Sequence, residues 1–507
     1  MPQLHGLNTS VWVDTVDRPA YPALDRELHV DVAVLGGGFA GLMTAFLLMR
    51  EGASVAVLET QHVGMGVSAY STAKVSSLHG TQYQSVESSF GQDGARAYGQ
   101  ANEAGVARVG AIADELGIDC DWRVKPAFTY AEDEEGRRKV QDETGAAQRA
   151  GLKASFTTDT DLPWAVTGAV RVEDQAEFHP CKFLLGLAAA IPGGRCHVFE
   201  HTQANGVKDG SPARVETSTG HDVVADNVVV ATHFPFLDRG GYFARMHPER
   251  SYALGVYVRG ETPQGMYLST ESPSHTVRST PTPRGEMVIT GGESHKVGQS
   301  NDDTTERYAR LEEWTRERFD VEEVAYRWST QDNMPVDGVP YVGKVMPGSR
   351  SVWVATGFRK WGFSNGAAAA EILTDLIAGR PNPWASTFDS NRFKPLAAAN
   401  ELVKENANVG WRFVRDKVGG GDVSSVDELA PGQGGLVGDG PGKVAAYRDD
   451  DGTLHTLSPT CTHMGCTVKW NTAERSWDCP CHGSRFDFSG KVIQGPALDG
   501  LSPKDAG

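Results

Sequence analysis

Two pairs of cysteine and histidine residues lie close together near the end of the sequence. Cys461 and His463 are separated by one residue and Cys479 and His482 by two, with fifteen residues between the pairs. Thiolates and imidazoles are the ligands that zinc and iron–sulfur clusters use in proteins, so this spacing predicts a metal centre. Two further cysteines lie in the same stretch, and two disulfides are the alternative that needs no metal.

The order of the ligand types along the chain distinguishes a zinc site from an iron–sulfur cluster site. Zinc fingers pair Cys with Cys and His with His, whereas each half of this motif has one of each. In a Rieske [2Fe–2S] centre two Cys bind one iron and two His bind the other, which matches the mixed order. The stretch TCTHMGCTVKWNTAERSWDCPCHGSRFDFSG at 460–490 closely resembles the Rieske proteins of cytochrome bc complexes. We therefore expect one [2Fe–2S] cluster.

That resemblance implies a role for each polar residue of the motif. The implied cluster ligands are Cys461, His463, Cys479 and His482. It also implies a disulfide between Cys466 and Cys481 that joins the two ligand loops. The Ser484 hydroxyl matches a donor to a cluster sulfur, whereas Phe486 occupies the position of a second donor, a tyrosine, in those proteins. Because donors favour the reduced cluster, one donor fewer predicts a lower redox potential than theirs.

A second motif lies near the start of the sequence. Gly36, Gly38 and Gly41 form G-x-G-x-x-G directly after an apolar run, Val30 to Leu35, which is typical of a buried parallel strand. These glycines permit a tight turn, close approach to a pyrophosphate and close packing of a helix on the strand. An apolar helix and a second strand follow, and Glu59 at the end of that strand can accept from a ribose hydroxyl. The sequence therefore predicts a dinucleotide site.

Four stretches identify the type of dinucleotide protein. Over about residues 28–395 the chain resembles the D-amino-acid-oxidase (DAO) type of FAD-dependent oxidoreductases, in the glycine motif and in VVVAT, DNMPVDGVPYVG and ATGFRKWGFSNG. The last of these closes over the flavin in that family. Some members bind FAD covalently through a histidine, where this chain has Tyr70, so we expect non-covalent FAD. The expected cofactor-binding residues are Gly36, Gly38, Phe39, Ala40, Gly41, Glu59, Lys74, Val75, Gly357, Lys360, Trp361, Gly362, Phe363 and Ser364.

Candidate catalytic residues come from the two segments expected beside the flavin. Lys74 and His79 follow the ribose-binding acid, and Arg359 belongs to the closing segment. Lys74 could form a hydrogen bond to the flavin ring, directly or through water. For each of the three, a cofactor contact or a surface position is the alternative interpretation.

The elements that carry these motifs predict an α/β Rossmann-like FAD-binding domain with an inserted α+β substrate domain, followed by a small all-β Rieske domain. The expected bounds are 1–395 for the oxidoreductase (FAD-binding parts about 28–85, 196–234 and 336–395; substrate domain about 86–195 and 235–335), 396–420 for a linker and 421–507 for the Rieske domain. A length of 507 residues accommodates three such units.

The net charge and the hydropathy of the chain argue against some classes of partner. The formal net charge is −17 and no block of Lys and Arg is present, which argues against a nucleic-acid partner. The longest nearly apolar stretch, Phe39 to Met49, is shorter than the ~20 residues that span a bilayer, and no signal peptide is recognisable. We expect a cytoplasmic protein without a membrane span.

FAD takes up a hydride, whereas a [2Fe–2S] cluster carries one electron at a time. The combination predicts a dehydrogenase that oxidises a small amine or amino-acid-like substrate, a class implied by the DAO resemblance, and passes electrons through the cluster to an external one-electron acceptor. Two alternatives stay open. The cluster could feed electrons to the flavin from an external donor, or it could serve only as a structural element.

Overall fold

A mostly parallel sheet around the glycine motif forms the first layer of the fold. The computed structural model describes residues 4–237, 239–299, 303–392, 420–438 and 440–505, and the expected linker lies almost wholly outside these ranges. The strands of this sheet are β2 (Leu28–Leu35), β3 (Val55–Leu58), β8 (His197–Phe199), β9 (Ala204–Lys208), β10 (Ala213–Thr217), β11 (Val223–Val230), β17 (Tyr341–Lys344) and β18 (Val352–Thr356). Their path is β17-β18-β11-β2-β3-β8, with β9 and β10 attached beside β11.

A second, larger sheet lies over the first. Its strands are β1 (Leu7–Asn8), β4 (Lys74–Val75), β5 (Arg123–Ala131), β6 (Ala154–Thr157), β7 (Gly168–Glu177), β12 (Met246–Val258), β13 (Met266–Ser269), β14 (Thr276–Thr282), β15 (Gly285–Lys296) and β16 (Val321–Pro335). The long antiparallel strands β12, β15 and β16 pair along most of their length. Because β4 is paired with β7, the segment after the ribose-binding acid crosses from the first sheet to the second.

The helices cover the outer faces of the sheets. They are α1 (Val11–Asp14), α2 (Phe39–Arg50), α3 (Gln82–Leu116), α4 (Glu134–Arg149), α5 (Pro180–Ala189), α6 (Tyr242–Arg245), α7 (Thr304–Arg318), α8 (Gly362–Ile377) and α9 (Ala385–Phe388). Helix α2 is apolar on almost every side because α5 and α8 pack against it above the parallel sheet. No helix of the described residues is long and apolar enough to cross a membrane. The cytoplasmic location stays a prediction.

The C-terminal domain, residues 420–505, is built from short antiparallel strands. One sheet contains β19 (Gly434–Val437), β20 (Val444–Arg448) and β21 (Leu454–Leu457), and the other β22 (Lys469–Asn471), β23 (Ser476–Asp478), β24 (Arg485–Asp487) and β25 (Val492–Gln494). Trp477 and Phe486 fill its core together with the four clustered cysteines. The mixed α/β fold with a small all-β domain confirms the fold class predicted from the sequence.

Candidate functional site

The turn between β2 and α2 has the close backbone contacts that the glycine motif predicts. Gly36 has a φ of +106°, and a Cβ there would lie 2.6 Å from the carbonyl oxygen of Ala231. A Cβ on Gly41 would collide with the carbonyl oxygen of Gly36, so helix and strand can approach only with glycine there. The Glu59 carboxylate accepts from the backbone N–H of Gly37 at 2.8 Å, which fixes the acid beside the turn.

A cavity of about 740 Å³ begins at this turn and extends to the second sheet and the C-terminal domain. This volume is within the range of about 300–1,000 Å³ for cofactor and ligand sites. Predicted residues that line it are Gly36, Gly38, Phe39, Ala40, Glu59, Lys74, Lys360, Trp361, Gly362 and Phe363. The cavity lining does not include Gly41, Val75, Gly357 or Ser364. A helix N-terminus, an acid at a strand end and a long cleft together fit a dinucleotide such as FAD.

Lys74 lines the cavity although its side chain is buried. Its Nζ donates to the carbonyl of Tyr267 at 3.3 Å and forms a short hydrogen bond with the hydroxyl of Thr276. The same Nζ lies 5.3 Å from the ring centre of Trp361. Burial, with a smaller contribution from the nearby Arg278 cation, lowers the pKa of Lys74 to about 7. Lys74 can therefore exist with or without its proton near neutral pH.

His79 and Arg359 lie outside the cavity lining, so the structure separates them from Lys74. The ring of His79 stacks behind Trp361 with 4.7 Å between ring centres. Its Nδ1 is 2.6 Å from the hydroxyl of Tyr98, and burial lowers its pKa to about 3, which keeps it neutral. Arg359, at a φ of +50°, has its pKa lowered by burial. His79 thus contacts the closing segment, to which Arg359 itself belongs, and nothing in the local sequence indicates which residues of that segment face the cavity.

The four expected cluster ligands come together at one end of the C-terminal domain. Cys461 and Cys479 are hydrogen-bonded through their sulfurs, and the rings of His463 and His482 lie 5.0 Å apart and nearly perpendicular. In the described part of the chain, no three of the four bring their ligand atoms within 4.8 Å of one another, so they do not surround one ion. A thiol pair beside an imidazole pair instead fits two irons.

Local chemistry also fits a cluster at this place. The hydrogen bond between the two thiols lowers the pKa of Cys461 to about 7, against the effect of burial, and raises the pKa of Cys479, so the pair loses its first proton at Cys461. Metal ligation needs the thiolate. His482 Nδ1 is buried and has no hydrogen-bond partner among the residues that the structure describes, as expected for an atom reserved for a metal. Cys466 and Cys481 form the expected disulfide between the loops.

The second ligand loop, residues 479–484, packs against the N-terminal part of the chain. The side chain of Gln331 donates to the carbonyl of Gly483 at 2.8 Å, and a Cβ on Gly483 would lie 2.8 Å from Pro248. Phe234 and Phe243 lie against His482, with ring centres 6.1 and 6.0 Å away. These contacts could not be predicted from the sequence, in which the aromatic pair in HFPF after β11 is the nearest local signal.

Buried charged side chains also lie at the contact between the N-terminal part of the chain and the C-terminal domain. Asp478 lies 3.1 Å from the Arg485 guanidinium and 3.8 Å from that of Arg250, and the side chains of Asp478 and Arg250 are almost fully buried. Glu474 accepts from the Tyr308 hydroxyl at 3.0 Å. Arg485 and Glu474 also line the cavity, together with the segment Val492–Leu498. The C-terminal domain thus supplies part of the cavity wall.

Comparisons with known proteins agree with both halves of the molecule. The family model "FAD dependent oxidoreductase" matches residues 31–376, and the "Rieske [2Fe-2S] domain" model matches residues 421–503. The Bacillus subtilis (strain 168) protein YhfW, named as a Rieske 2Fe-2S iron-sulfur protein, is 36% identical over 497 residues, which is 97% of each chain. Gamma-glutamylputrescine oxidoreductase of Escherichia coli (strain K12) is 29% identical over 218 residues, 42% of this chain and 50% of that protein. Glycine oxidase from Geobacillus kaustophilus has the same fold over 72% of this chain and 99% of its own, with a TM-score of 0.60 and 20% identity.

Proposed function

The chain belongs to the FAD dependent oxidoreductase family and carries a C-terminal Rieske domain. We propose that it is an amine or amino-acid dehydrogenase with an internal electron relay. The substrate is oxidised at the cavity, and electrons leave through the cluster to an external one-electron acceptor. When bound, FAD supplies hydride acceptance and the [2Fe–2S] cluster supplies one-electron transfer. The similarity to a gamma-glutamylputrescine oxidoreductase and to the fold of a glycine oxidase supports the substrate class.

One observation carries the proposal: the cavity touches the dinucleotide turn, the closing segment and the Rieske domain at once. Gly36 and Glu59 line one end, Lys360 and Trp361 lie along it, and Arg485 comes from the C-terminal domain. A cluster that only stabilised the fold would not need its domain to form a wall of the redox cavity.

The charges along the cavity suit a zwitterionic or amine substrate. Asp332 and Glu474 line the cavity with carboxylates that an ammonium group can approach, and Lys360 and Arg485 line it with cations that are also paired with Glu249 and Asp478, each at 3.1 Å. Burial raises the pKa of Asp332 to about 6. An amine must lose its proton before a hydride can leave the adjacent carbon, and Lys74 Nζ, with a pKa of about 7, can accept that proton. We propose this role for Lys74 and a positioning role for His79 and Arg359.

An anaerobic titration tests the proposal. Purified protein is mixed with a panel of amino acids and polyamines, while flavin absorbance and the EPR signal of the reduced cluster are followed together. We expect one substrate class to bleach the flavin and then produce the cluster signal. In a Cys461→Ser variant the same substrate should bleach the flavin without that signal.

Two results would contradict this function. If no amine reduces the flavin while an external one-electron donor reduces first the cluster and then the flavin, the protein works as a reductase. If flavin reduction never produces the cluster signal, the cluster does not take part in electron transfer. The division into domains at 1–395 and 421–507 stays part of this proposal.

A further inference from the structure

The two expected histidine ligands of the cluster face different surroundings. His482 is only 3% exposed, whereas His463 is half-buried and is followed by Met464, which is 43% exposed. The ring of His482 has two aromatic neighbours, Phe234 at 6.1 Å in a tilted arrangement and Phe243 at 6.0 Å in a nearly perpendicular one. The loop with His482 therefore faces the N-terminal part.

Phe234 connects this buried ligand to the cavity. It is 4% exposed, it lines the cavity near the end of β11, and its ring is 6.1 Å from that of His482. Gln331 makes a parallel connection, because it also lines the cavity and donates to the carbonyl of Gly483, the residue after His482. A single layer of side chains thus separates the flavin cavity from a cluster ligand.

A buried ion pair fixes the second ligand loop in this position. Asp478 directly precedes Cys479 and lies between the guanidinium groups of Arg250 and Arg485. Arg250 belongs to β12 and donates to the hydroxyl of Ser329 at 2.7 Å on the adjacent strand β16. Asp478 and Arg485 both belong to the C-terminal domain, so Arg250 is the member of this trio that reaches across from the N-terminal part, at 3.8 Å from Asp478. The contact between Phe234 and His482 lies in the same buried interface.

We propose that electrons pass between the flavin cavity and the cluster through His482 and Phe234, with Phe243 and Gln331 as positioning residues. This inference rests on the proposed electron relay and assigns its route. Each passage moves one electron, reducing one of the two ferric ions of the cluster. Two passages, with reoxidation of the cluster by the external one-electron acceptor between them, remove both electrons from a reduced flavin, whose protons leave to water.

Flash photolysis of the complete protein tests the route without any amine substrate. Photoexcited 5-deazariboflavin with EDTA delivers single electrons, and the exchange between flavin and cluster is followed from their absorbance. We expect Phe234→Leu to slow the exchange by about tenfold, at the lower end of the effect of losing an outer contact to a metal ligand. Phe234→Tyr, which keeps the ring, should restore the rate.

Phe199→Leu is the matched control, because Phe199 belongs to the same apolar cluster as Phe234 and is 5% exposed, but it neither lines the cavity nor contacts His482. We expect it to exchange electrons at the wild-type rate. The cluster EPR spectrum and the FAD content show whether each variant is intact, and Phe234→Met replaces Phe234→Leu if that variant loses either cofactor.

An intact Phe234 variant without the ring that exchanges electrons at the wild-type rate would overturn the route and leave the relay standing. If wild-type protein itself shows no exchange, the proposed relay is wrong and the route falls with it. A loss of rate in Phe199→Leu equal to that in Phe234→Leu would also overturn the route, because general loosening of the core would then explain both.

Discussion

Replacing Lys74 with methionine should stabilise the protein at neutral and acidic pH. The Lys74 ammonium is buried, and burial lowers its pKa from 10.5 to about 7. At about 1.36 kcal/mol for each pH unit, the charged form costs the folded state about 4 to 5 kcal/mol below pH 7. Methionine removes this cost but leaves the Thr276 hydroxyl oxygen without its donor, which costs about 1–3 kcal/mol, while the Tyr267 carbonyl still accepts from that hydroxyl. The net gain is about 2 kcal/mol.

The sign of the pH dependence follows from proton binding. Between pH 7 and 10.5 the unfolded chain keeps the proton on Lys74 while the folded protein releases it, so the free energy of unfolding rises with pH across this window. Lys74→Met lacks that rise. Its advantage over wild type should therefore be largest below pH 7 and disappear toward pH 10.

Thermal unfolding at a series of pH values measures this effect. At about 2–4 °C for each kcal/mol, the variant should melt about 5 °C above wild type at pH 6.5. Lys153→Met, at a side chain that is 85% exposed, is the matched control and should change little. Curves for Lys74→Met and wild type that stay parallel from pH 6 to 10 would show that Lys74 keeps an ordinary pKa, and its proposed role in accepting a proton would then fail.

Three further predictions concern the cofactors and the contact between the parts. Glu59→Gln should weaken FAD binding by about 10- to 100-fold, because a hydrogen bond to a charged group contributes about 1.5–3 kcal/mol. A fluorescence titration with FAD measures the affinity, and an unchanged affinity would show that the ribose binds elsewhere. Asp478→Ala should destabilise the protein by about 3–5 kcal/mol because two arginines lose their buried partner, and a melting temperature equal to that of wild type would contradict the buried pair. Joint replacement of Cys466 and Cys481 by serine should remove about 3 kcal/mol of stabilisation and make the cluster dissociate faster on heating. The visible absorbance of the cluster measures its loss, and equal rates in variant and wild type would show that the disulfide does not support the cluster.

Local motifs predicted the parts of this molecule whose chemistry depends on neighbouring residues. The glycine turn, the cluster ligands and the disulfide each involve a fixed spacing along the chain, so a resemblance to a known motif implies which residues are partners. The expected fold class followed from the same motifs, because a βαβ unit and a Rieske loop pair each belong to a known architecture.

Contacts between distant segments were beyond the reach of the sequence. His79 and Lys74 are five residues apart, yet one lies behind Trp361 and the other against the cavity, since the chain crosses between sheets at β4. The contacts of Phe234 with His482 and of Gln331 with Gly483 join residues 248 and 152 positions apart. Composition and periodicity carry no information about such pairs, and a single sequence that is not aligned with others cannot reveal them.

The burial of the second ligand loop sets an order for the maturation of the protein. Iron and sulfide can be delivered to Cys479 and His482 only while these atoms can be reached, and in the folded molecule their residues are 1% and 3% exposed. Cys479 belongs to the apolar core of the C-terminal domain itself, so the cluster should be inserted before that core closes. The N-terminal part is synthesised first and can fold while the ligand loops are still being made. A chain without its cluster should therefore keep this core open for longer, which exposes apolar surface that quality-control proteases can recognise.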